Sequence, residues 1–297
     1  MVNHNRNHKF SYGETEVMAE GLVRVTANNP GPFTFHGSGT FILGKDSLAI
    51  IDPGPDLDSH FHALIIAIDG RPVTHILVTH RHADHAGLAR RMANHLGTPI
   101  YAWGDTPAAD NLKGESSTRD FYPDNAILHN QILSSSDWQV QAIHTPGHTS
   151  DHICFIEHNR KWVFCGDHVM GWSTSVVLPP DGNMGAYVRN LRTMQIYKNY
   201  VFWPTHGSEI LHPCPYLDQL IEHRTQREQA ILDILAQGVE EIDAMVKVIY
   251  RGVDKSLHRA AGQSVLATLI DLQQRKLVIK QPSCSGDLYH LSGRQTI

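Results

Sequence analysis

The chain has 297 residues, a formal net charge of −5 and 41% apolar residues, a composition typical of a globular protein. No apolar run approaches the roughly 18 residues of a membrane span, and the polar start is not expected to act as a secretory signal. The negative charge argues against nucleic-acid binding by the whole surface. The four cysteines form no CxxC pair, so we expect a reducing, cytoplasmic setting without disulfides.

Residues 1–19 are predicted to be a polar leader, of which the first residues form a disordered arm. After it, short apolar segments alternate with glycine and proline, which predicts strands. The first four predicted strands are residues 21–27, 38–44, 47–54 and 73–80. A helix is predicted over 58–69, and a hairpin over 152–167. This order indicates an α/β layered fold over residues 20–214.

The pattern changes near residue 215. A long amphipathic helix is predicted over 215–238, followed by shorter helices within 239–252 and 254–276. Two short strands then end the chain. Three helices followed by two strands are the outline of a winged helix-turn-helix, so we predict a second, small domain over residues 215–297.

The stretch THRHADH at residues 79–85 follows an apolar strand-like run and contains four ligand-type side chains, His80, His82, Asp84 and His85. A solvated turn does not need this density, and a buried core cannot hold these groups unpaired. They either share a metal or coincide by chance in a chain with 21 histidines. Four such groups cannot all point at one ion, but they can serve two adjacent ions.

Three later segments place further ligand-type residues after strand-like runs. These residues are His148 in a Pro-Gly turn, Asp167 after Gly166, and His206. Each one alone is a weak signal, because an isolated loop histidine is usually an ordinary surface residue. Their shared position at the ends of predicted strands favours convergence on one site.

The spacing His80-x-His82-x-Asp84-His85 resembles the HxHxDH signature of the metallo-β-lactamase superfamily, and the later family motifs match His148, Asp167 and His206. The resemblance covers residues 20 to about 212. It implies a four-layer αββα sandwich with the site at one edge of its two sheets.

The resemblance also implies two metal ions per chain, each held by three side chains and bridged by a shared carboxylate. The implied ligands are His80, His82 and His148 for one ion, Asp84, His85 and His206 for the other, and Asp167 as the bridge. Such ligands suit Zn²⁺, with Mn²⁺ and iron as alternatives. Asp52 matches a family position that steadies a ligand histidine without binding the metal.

The implied chemistry is hydrolysis. Two cations about 3.5–4 Å apart can share a hydroxide, because they lower the pKa of its parent water towards neutrality. That hydroxide would attack a carbonyl or phosphorus while the metals stabilise the developing oxyanion. Asp84, a ligand with a spare oxygen, is the predicted proton acceptor and catalytic residue.

The substrate class depends on departures from the family pattern. True zinc β-lactamases of this fold usually have cysteine, serine or another arrangement where Asp167 stands, so β-lactamase activity is disfavoured. We predict hydrolysis of a small ester, thioester or lactone. The alternative is cleavage of single-stranded RNA, because 166–184, 223–232 and 248–252 resemble the β-lactamase-like subgroup that includes a single-strand endoribonuclease. A non-enzymatic regulator is disfavoured, since the ligand set is complete.

The loop over residues 168–187 lies between two implied ligands and is predicted to form a wall of the substrate site. A closed apolar pocket near His168, Trp172 and Tyr187 would favour a small substrate, whereas an open cationic groove would favour RNA. The stripe of Arg251, Lys255 and Arg259 in the tail is interpreted as a solvated face. We expect no membrane partner, and a homodimer is possible.

Overall fold

The computed structural model describes residues 2–7, 9–104, 121–252, 254–255, 258–284 and 286–293. Seven strands form the first sheet in chain order, antiparallel from β1 to β4 and parallel from β4 to β7. They are β1 (Thr15–Ala19), β2 (Leu22–Thr26), β3 (Gly39–Leu43), β4 (Leu48–Ile51), β5 (Val73–Leu77), β6 (Ile100–Trp103) and β7 (Asn125–Ile127).

Five strands form the second sheet, in the order β12-β11-β10-β9-β8. They are β8 (Ile132–Ser134), β9 (Gln139–His144), β10 (Ile153–Glu157), β11 (Trp162–Gly166) and β12 (Val201–Pro204). The pairs are antiparallel except β11 with β12, which is parallel. The hairpin predicted over 152–167 is confirmed as β10 and β11.

The two sheets pack face to face because alternate residues of their strands point to opposite layers. Phe41 of β3 points inward and contacts Phe164 of β11, with ring centroids 5.4 Å apart, whereas Ile42 points outward. Both layers are apolar, so all five residues of β3 are buried.

Helices cover the outer faces of both sheets. The first sheet is covered by α1 (Asp58–Ile68) and α3 (Ala89–Leu96), and the second by α4 (Met184–Met194) and α5 (Pro213–Ala236). The short helix α2 (Ala83–Ala86) lies between α1 and α3 in the chain. The four-layer αββα sandwich expected from the sequence is therefore confirmed.

The tail forms a winged helix, as expected. Helix α5 is followed by α6 (Ile242–Ile249), α7 (His258–Gln274) and the antiparallel pair β13 (Val278–Ser283) and β14 (Gly286–Leu291). Helix α5 joins two cores, because its Leu217 packs with the second sheet and its Ile231 packs with the tail. No helix in the described part of the chain is long and apolar enough to cross a membrane.

The start of the chain differs from the predicted leader over 1–19. Residues Thr15–Ala19 form β1 and pair with β2, so they belong to the first sheet. The first residues, predicted to be a disordered arm, contact α5: the amide of Asn3 donates to the side chain of Gln219 at 2.7 Å and His4 Nδ1 lies 2.8 Å from the hydroxyl of Tyr216. Contacts with α5 thus hold this segment. All four cysteines are free, as expected.

Candidate metal centre

Several strand ends meet at one edge of the sandwich. Strands β4 and β5 run parallel in the first sheet, and β9, β11 and β12 run parallel to one another in the second. Their carboxyl ends therefore lie together, and the loops that follow them carry the predicted ligands. The amide of Ile153 donates to the carbonyl of Thr79 at 2.8 Å, which ties the two sheets together at this edge.

Three histidines form a first group that could hold a metal ion. His82 Nδ1 lies 2.9 Å from His80 Nε2 and 3.1 Å from His148 Nε2. His80 and His82 come from the loop after β5, and His148 comes from the loop after β9. Both sheets therefore contribute to this group.

A second group consists of Asp84, His85 and His206. Asp84 Oδ2 lies 3.1 Å from His206 Nε2 and 3.5 Å from His85 Nε2. Asp84 and His85 lie in the short helix α2, whose single turn directs both side chains towards the loop after β12. This group contains a carboxylate, which the first group does not.

Asp167 lies between the two groups. Its Oδ1 lies 3.4 Å from His85 Nε2 and 3.3 Å from His206 Nε2, whereas its Oδ2 lies 3.7 Å from His148 Nε2. The two oxygens of one carboxylate therefore face different groups, which is the arrangement that a bridging ligand needs. All seven residues predicted as ligands converge on this one site.

The outer nitrogen of three of these histidines has a fixed acceptor. His85 Nδ1 donates to Asp52 Oδ2 at 2.8 Å, and His206 Nδ1 donates to the carbonyl of Gly37 at 3.0 Å. His148 Nδ1 donates to the carbonyl of Val176 at 2.6 Å. Each bond leaves the Nε2 lone pair directed into the site, which is how ligand histidines are oriented in metalloproteins.

Asp52 organises the edge without joining either group. It has a left-handed backbone conformation with φ of 51° directly after β4. Besides His85, its carboxylate accepts from the amide and hydroxyl of Thr79 at 2.7 and 2.8 Å, and from the hydroxyl of Thr205 at 2.9 Å. It thus connects both sheets to one histidine, in agreement with the role expected for it.

The two groups differ in electrostatics. Burial lowers the pKa of His80 well below its usual value, and neighbouring histidines lower it further. Burial also acts on His85 and His206, but the carboxylates of Asp84 and Asp167 more than compensate and raise the pKa of both histidines. The second group therefore favours positive charge between its side chains.

The donor set fits metal binding. Three buried atoms, His85 Nε2, His206 Nε2 and Asp167 Oδ1, have no hydrogen-bond partner of suitable geometry within the described ranges. Buried polar atoms without partners are costly, and a shared cation would satisfy all three. Imidazole nitrogens and carboxylate oxygens are the usual donors for Zn²⁺ and for iron.

A cavity of about 530 Å³ opens onto both groups. Its floor includes His82, Asp84, His148 and Asp167. Its walls are largely apolar and include Phe33, Pro55, Met170, Val176 and Leu178. No described residue that lines it is a lysine or arginine, and its size suits a small molecule.

The loop over 168–187 contributes to the wall as predicted, but through Met170, Val176 and Leu178. The three residues named from the sequence lie elsewhere. His168 and Tyr187 are buried in the adjoining core, and burial lowers the pKa of His168 to about 4. Trp172 stacks on Phe35 with ring centroids 4.7 Å apart.

Sequence reasoning missed two supports of the site. His152 is buried, and its Nε2 accepts from the amide of Asp167 at 3.2 Å. Arg81, between two predicted ligands, forms a buried ion pair of 2.7 Å with Asp181 of the wall loop. The sequence did place both residues inside segments that carry predicted ligands. A histidine or an arginine in such a segment does not, however, show which partner its side chain contacts.

Comparison with known proteins agrees with this fold and site. The family model for the metallo-beta-lactamase superfamily matches residues 33–209, and the model for the beta-lactamase associated winged helix domain matches residues 242–286. The chain therefore belongs to the metallo-beta-lactamase superfamily and has the winged-helix domain that accompanies this fold.

Two of the similar proteins span nearly the whole chain, and a third covers about two thirds of it. The beta-lactamase-like protein 2 homolog of Drosophila melanogaster is 29% identical over 286 residues, 92% of this chain and 94% of the relative. A beta-lactamase domain protein from Burkholderia ambifaria superposes with a TM-score of 0.81 at 18% identity, covering 98% and 97% of the two chains. TTHA1623, solved in a di-iron-bound form, superposes with a TM-score of 0.51 at 24% identity over 68% and 97%.

Proposed function

We propose that the protein is a dinuclear metal-dependent hydrolase of a small ester, thioester or lactone. The observation that carries this proposal is the cavity of about 530 Å³, which opens onto both groups of metal-binding side chains and has mainly apolar walls. Such a cavity suits an uncharged acyl group. It does not suit a phosphodiester strand, because its described lining offers no lysine or arginine.

Two ions would be held by the groups described above, with Asp167 between them. When bound, the ions would supply an activated water and stabilise the negative charge that develops on the substrate oxygen. We expect zinc first, because imidazole nitrogens and carboxylate oxygens are its usual donors. Iron is the alternative, because TTHA1623 binds two iron ions in its solved form. Metal analysis of the purified protein decides between them.

Asp84 is the proposed proton acceptor. It lies on the cavity floor, and its side chain is 22% exposed, so it can reach both water and substrate. Burial opposes ionisation, but His85 and His206 lower the pKa of this carboxyl below its usual range. Asp84 is therefore ionised at neutral pH, the state that a metal ligand and a proton acceptor both require.

The wall residues supply binding and orientation. Met170, Val176 and Leu178 lie beside His148 in the cavity lining and would contact the apolar part of the substrate. Their contact excludes bulk water from the reacting bond, which strengthens the electrostatic interactions there. The ion pair between Arg81 and Asp181 holds the wall loop close to the floor.

The test is a substrate panel assayed with protein reconstituted with zinc, iron or manganese. The panel contains p-nitrophenyl esters, acyl thioesters, lactones, a β-lactam and a short single-stranded RNA. We expect turnover of at least one acyl substrate that Asp84→Asn reduces by about 10²–10⁴-fold. Asp69→Asn, at the end of α1 in a left-handed conformation that asparagine tolerates, is the matched control and should retain activity.

Two outcomes would contradict the proposal. Cleavage of RNA that depends on Asp84, with no acyl turnover, would assign the centre to phosphodiester hydrolysis. Acyl turnover that Asp84→Asn reduces no more than Asp69→Asn does would show that the hydrolysis does not use this centre.

A further inference from the structure

A second cavity, of about 330 Å³, lies between α4, α5 and α7, where the winged-helix domain meets the sandwich. Each helix contributes one face to it. Arg189 and Arg192 are three residues apart on α4, and Arg224 and Glu228 are four apart on α5. Asp271 and Arg275 are four apart on α7. Residues at these spacings share a helix face, so the six charged side chains converge on one space.

The acidic residues of this interhelical cleft are already paired. Arg275 lies 2.7 and 2.9 Å from the two carboxylate oxygens of Glu228 and 3.1 Å from Asp271 Oδ2. Arg224 is buried and donates to the carbonyl of Ser175, with its guanidinium 5.3 Å from the ring centre of Tyr187. Arg275 thus forms ion pairs with both acidic residues, and a hydrogen bond to the Ser175 carbonyl fixes Arg224.

Arg189 and Arg192 are different. Both are exposed, and neither forms an ion pair with a carboxylate in the described part of the chain. Four arginines and two acids give the cleft a net charge of +2, although the whole chain has −5. Two guanidinium groups at the rim, with a third in the lining, form a local positive field in an otherwise acidic protein.

We propose that this interhelical cleft binds a phosphate group of a ligand, with Arg189 and Arg192 as the residues that contact it. A guanidinium presents a planar fork of donors that matches phosphate oxygens, and two forks on one helix face can contact one anion together. A phosphate or diphosphate can neutralise the excess charge of +2. The ligand is either a small phosphorylated compound or the backbone of a nucleic acid.

The site is separate from the metal centre, since the two cavities have no described lining residue in common. The inference therefore goes beyond the proposed hydrolase and does not depend on it. Binding can be measured directly, without any turnover.

The test compares two double variants that remove the same charge. Arg189→Ala/Arg192→Ala changes the cleft, whereas Arg251→Ala/Arg259→Ala changes two other exposed arginines of the tail. Metal-loaded proteins are titrated with pyrophosphate by calorimetry and with a labelled ten-nucleotide RNA by fluorescence anisotropy. Any binding to the metal centre is common to all the proteins, so the difference between variants reports on the cleft. Thermal unfolding confirms that both variants are folded.

We expect the cleft variant to bind at least one probe at least about tenfold more weakly than the wild type, while the control variant binds as the wild type does. For RNA, the slope of log K against log salt should also fall by about 1.4, because two phosphate contacts are lost. Weakening of pyrophosphate alone identifies a small phosphorylated ligand, and weakening of RNA identifies a strand. No binding by the wild type, or equal weakening in both variants, would overturn the proposal.

Discussion

The metal centre and the layer of α1 against the first sheet both bury histidines, but they do so in opposite ways. His85 and His206 each donate a hydrogen bond from Nδ1 to a fixed acceptor, and their Nε2 atoms face carboxylates. His60 of α1 is equally buried, but its Nε2 lies 2.9 Å from the hydroxyl of Thr40, and burial lowers its pKa to about 4. In a chain with 21 histidines, burial therefore does not mark a ligand.

What distinguishes the metal centre is the combination of inward nitrogens with shared carboxylates. Asp167 faces both groups, and Asp52 fixes the ring of His85 from outside. Burial costs a histidine such as His60 more when the ring is charged than when it is neutral, so burial keeps this ring unprotonated. The two kinds of histidine should respond in opposite ways to substitution and to pH.

The largest effect is expected for Asp167→Asn, which removes the charge shared by both groups. For the dinuclear centre proposed above, we expect the metal content to fall from two ions per chain to one or none, and kcat to fall by at least about 10³-fold. Metal analysis and turnover of the best acyl substrate measure both quantities. His60→Gln is the control and should retain two ions and full activity. An Asp167→Asn protein with two ions and kcat within tenfold of the wild type would contradict the bridging role.

Much of this centre could be predicted from the chain. The motif from His80 to His85 comes shortly after the end of β5, so its ligand-type side chains were expected at a sheet edge, and the structure brings them together with His148, Asp167 and His206. The supports could not be predicted in the same way. His148 and His206 are oriented by the carbonyls of Val176 and Gly37, and a backbone carbonyl has no sequence signature.

The fold was predictable where the hydrophobic pattern is strong. Strand β3 is buried on both faces and contains the apolar run Phe41–Leu43, and the order of helices and strands in the tail indicated a winged helix. Strand β1 was missed because no residue in Thr15–Ala19 is fully buried, so its alternation is faint. Pairing with β2, and not local propensity, makes this segment a strand.

The next effect concerns pH and the packing histidine. Because burial lowers the pKa of His60 to about 4, the unfolded chain binds its proton near pH 6.5 while the folded chain does not. The contribution of His60 to stability is complete above pH 6.5 and is lost as the pH falls towards 4. A difference of about 2.5 pKa units corresponds to about 3 kcal/mol.

His60→Gln should therefore lessen the decrease in unfolding free energy between pH 7 and pH 4 by about 3 kcal/mol. Glutamine can keep the hydrogen bond to Thr40 but does not titrate. Urea unfolding at several pH values measures this difference. An unchanged pH dependence would show that His60 does not resist protonation in the folded protein.

A smaller effect is expected for Asp52→Asn, which should change the metal affinity of the second group more than that of the first. Loss of the carboxylate that accepts from His85 Nδ1 should weaken metal binding at the second group by about 10–100-fold. The first group is linked to Asp52 only indirectly, through the Thr79 hydroxyl that lies 3.1 Å from His80 Nδ1, and His148 is oriented by the carbonyl of Val176, so its affinity should fall less. Competition titration with a chelator resolves the two affinities. Equal weakening at both groups would mean that Asp52 acts through the fold and not through His85.

The smallest effect is expected for a third kind of histidine, outside both regions. His290 of β14 lies 2.9 Å from Glu240 in a pair that is only partly buried. Exposed and half-exposed ion pairs contribute little, so His290→Gln should lower the unfolding free energy by no more than about 1 kcal/mol. Metal content and kcat should stay unchanged, because no residue of the metal centre contacts this pair among the described contacts. If kcat falls with this variant while stability is preserved, the winged-helix domain takes part in turnover. Contact with the metal centre would then not be enough to identify the histidines that affect activity.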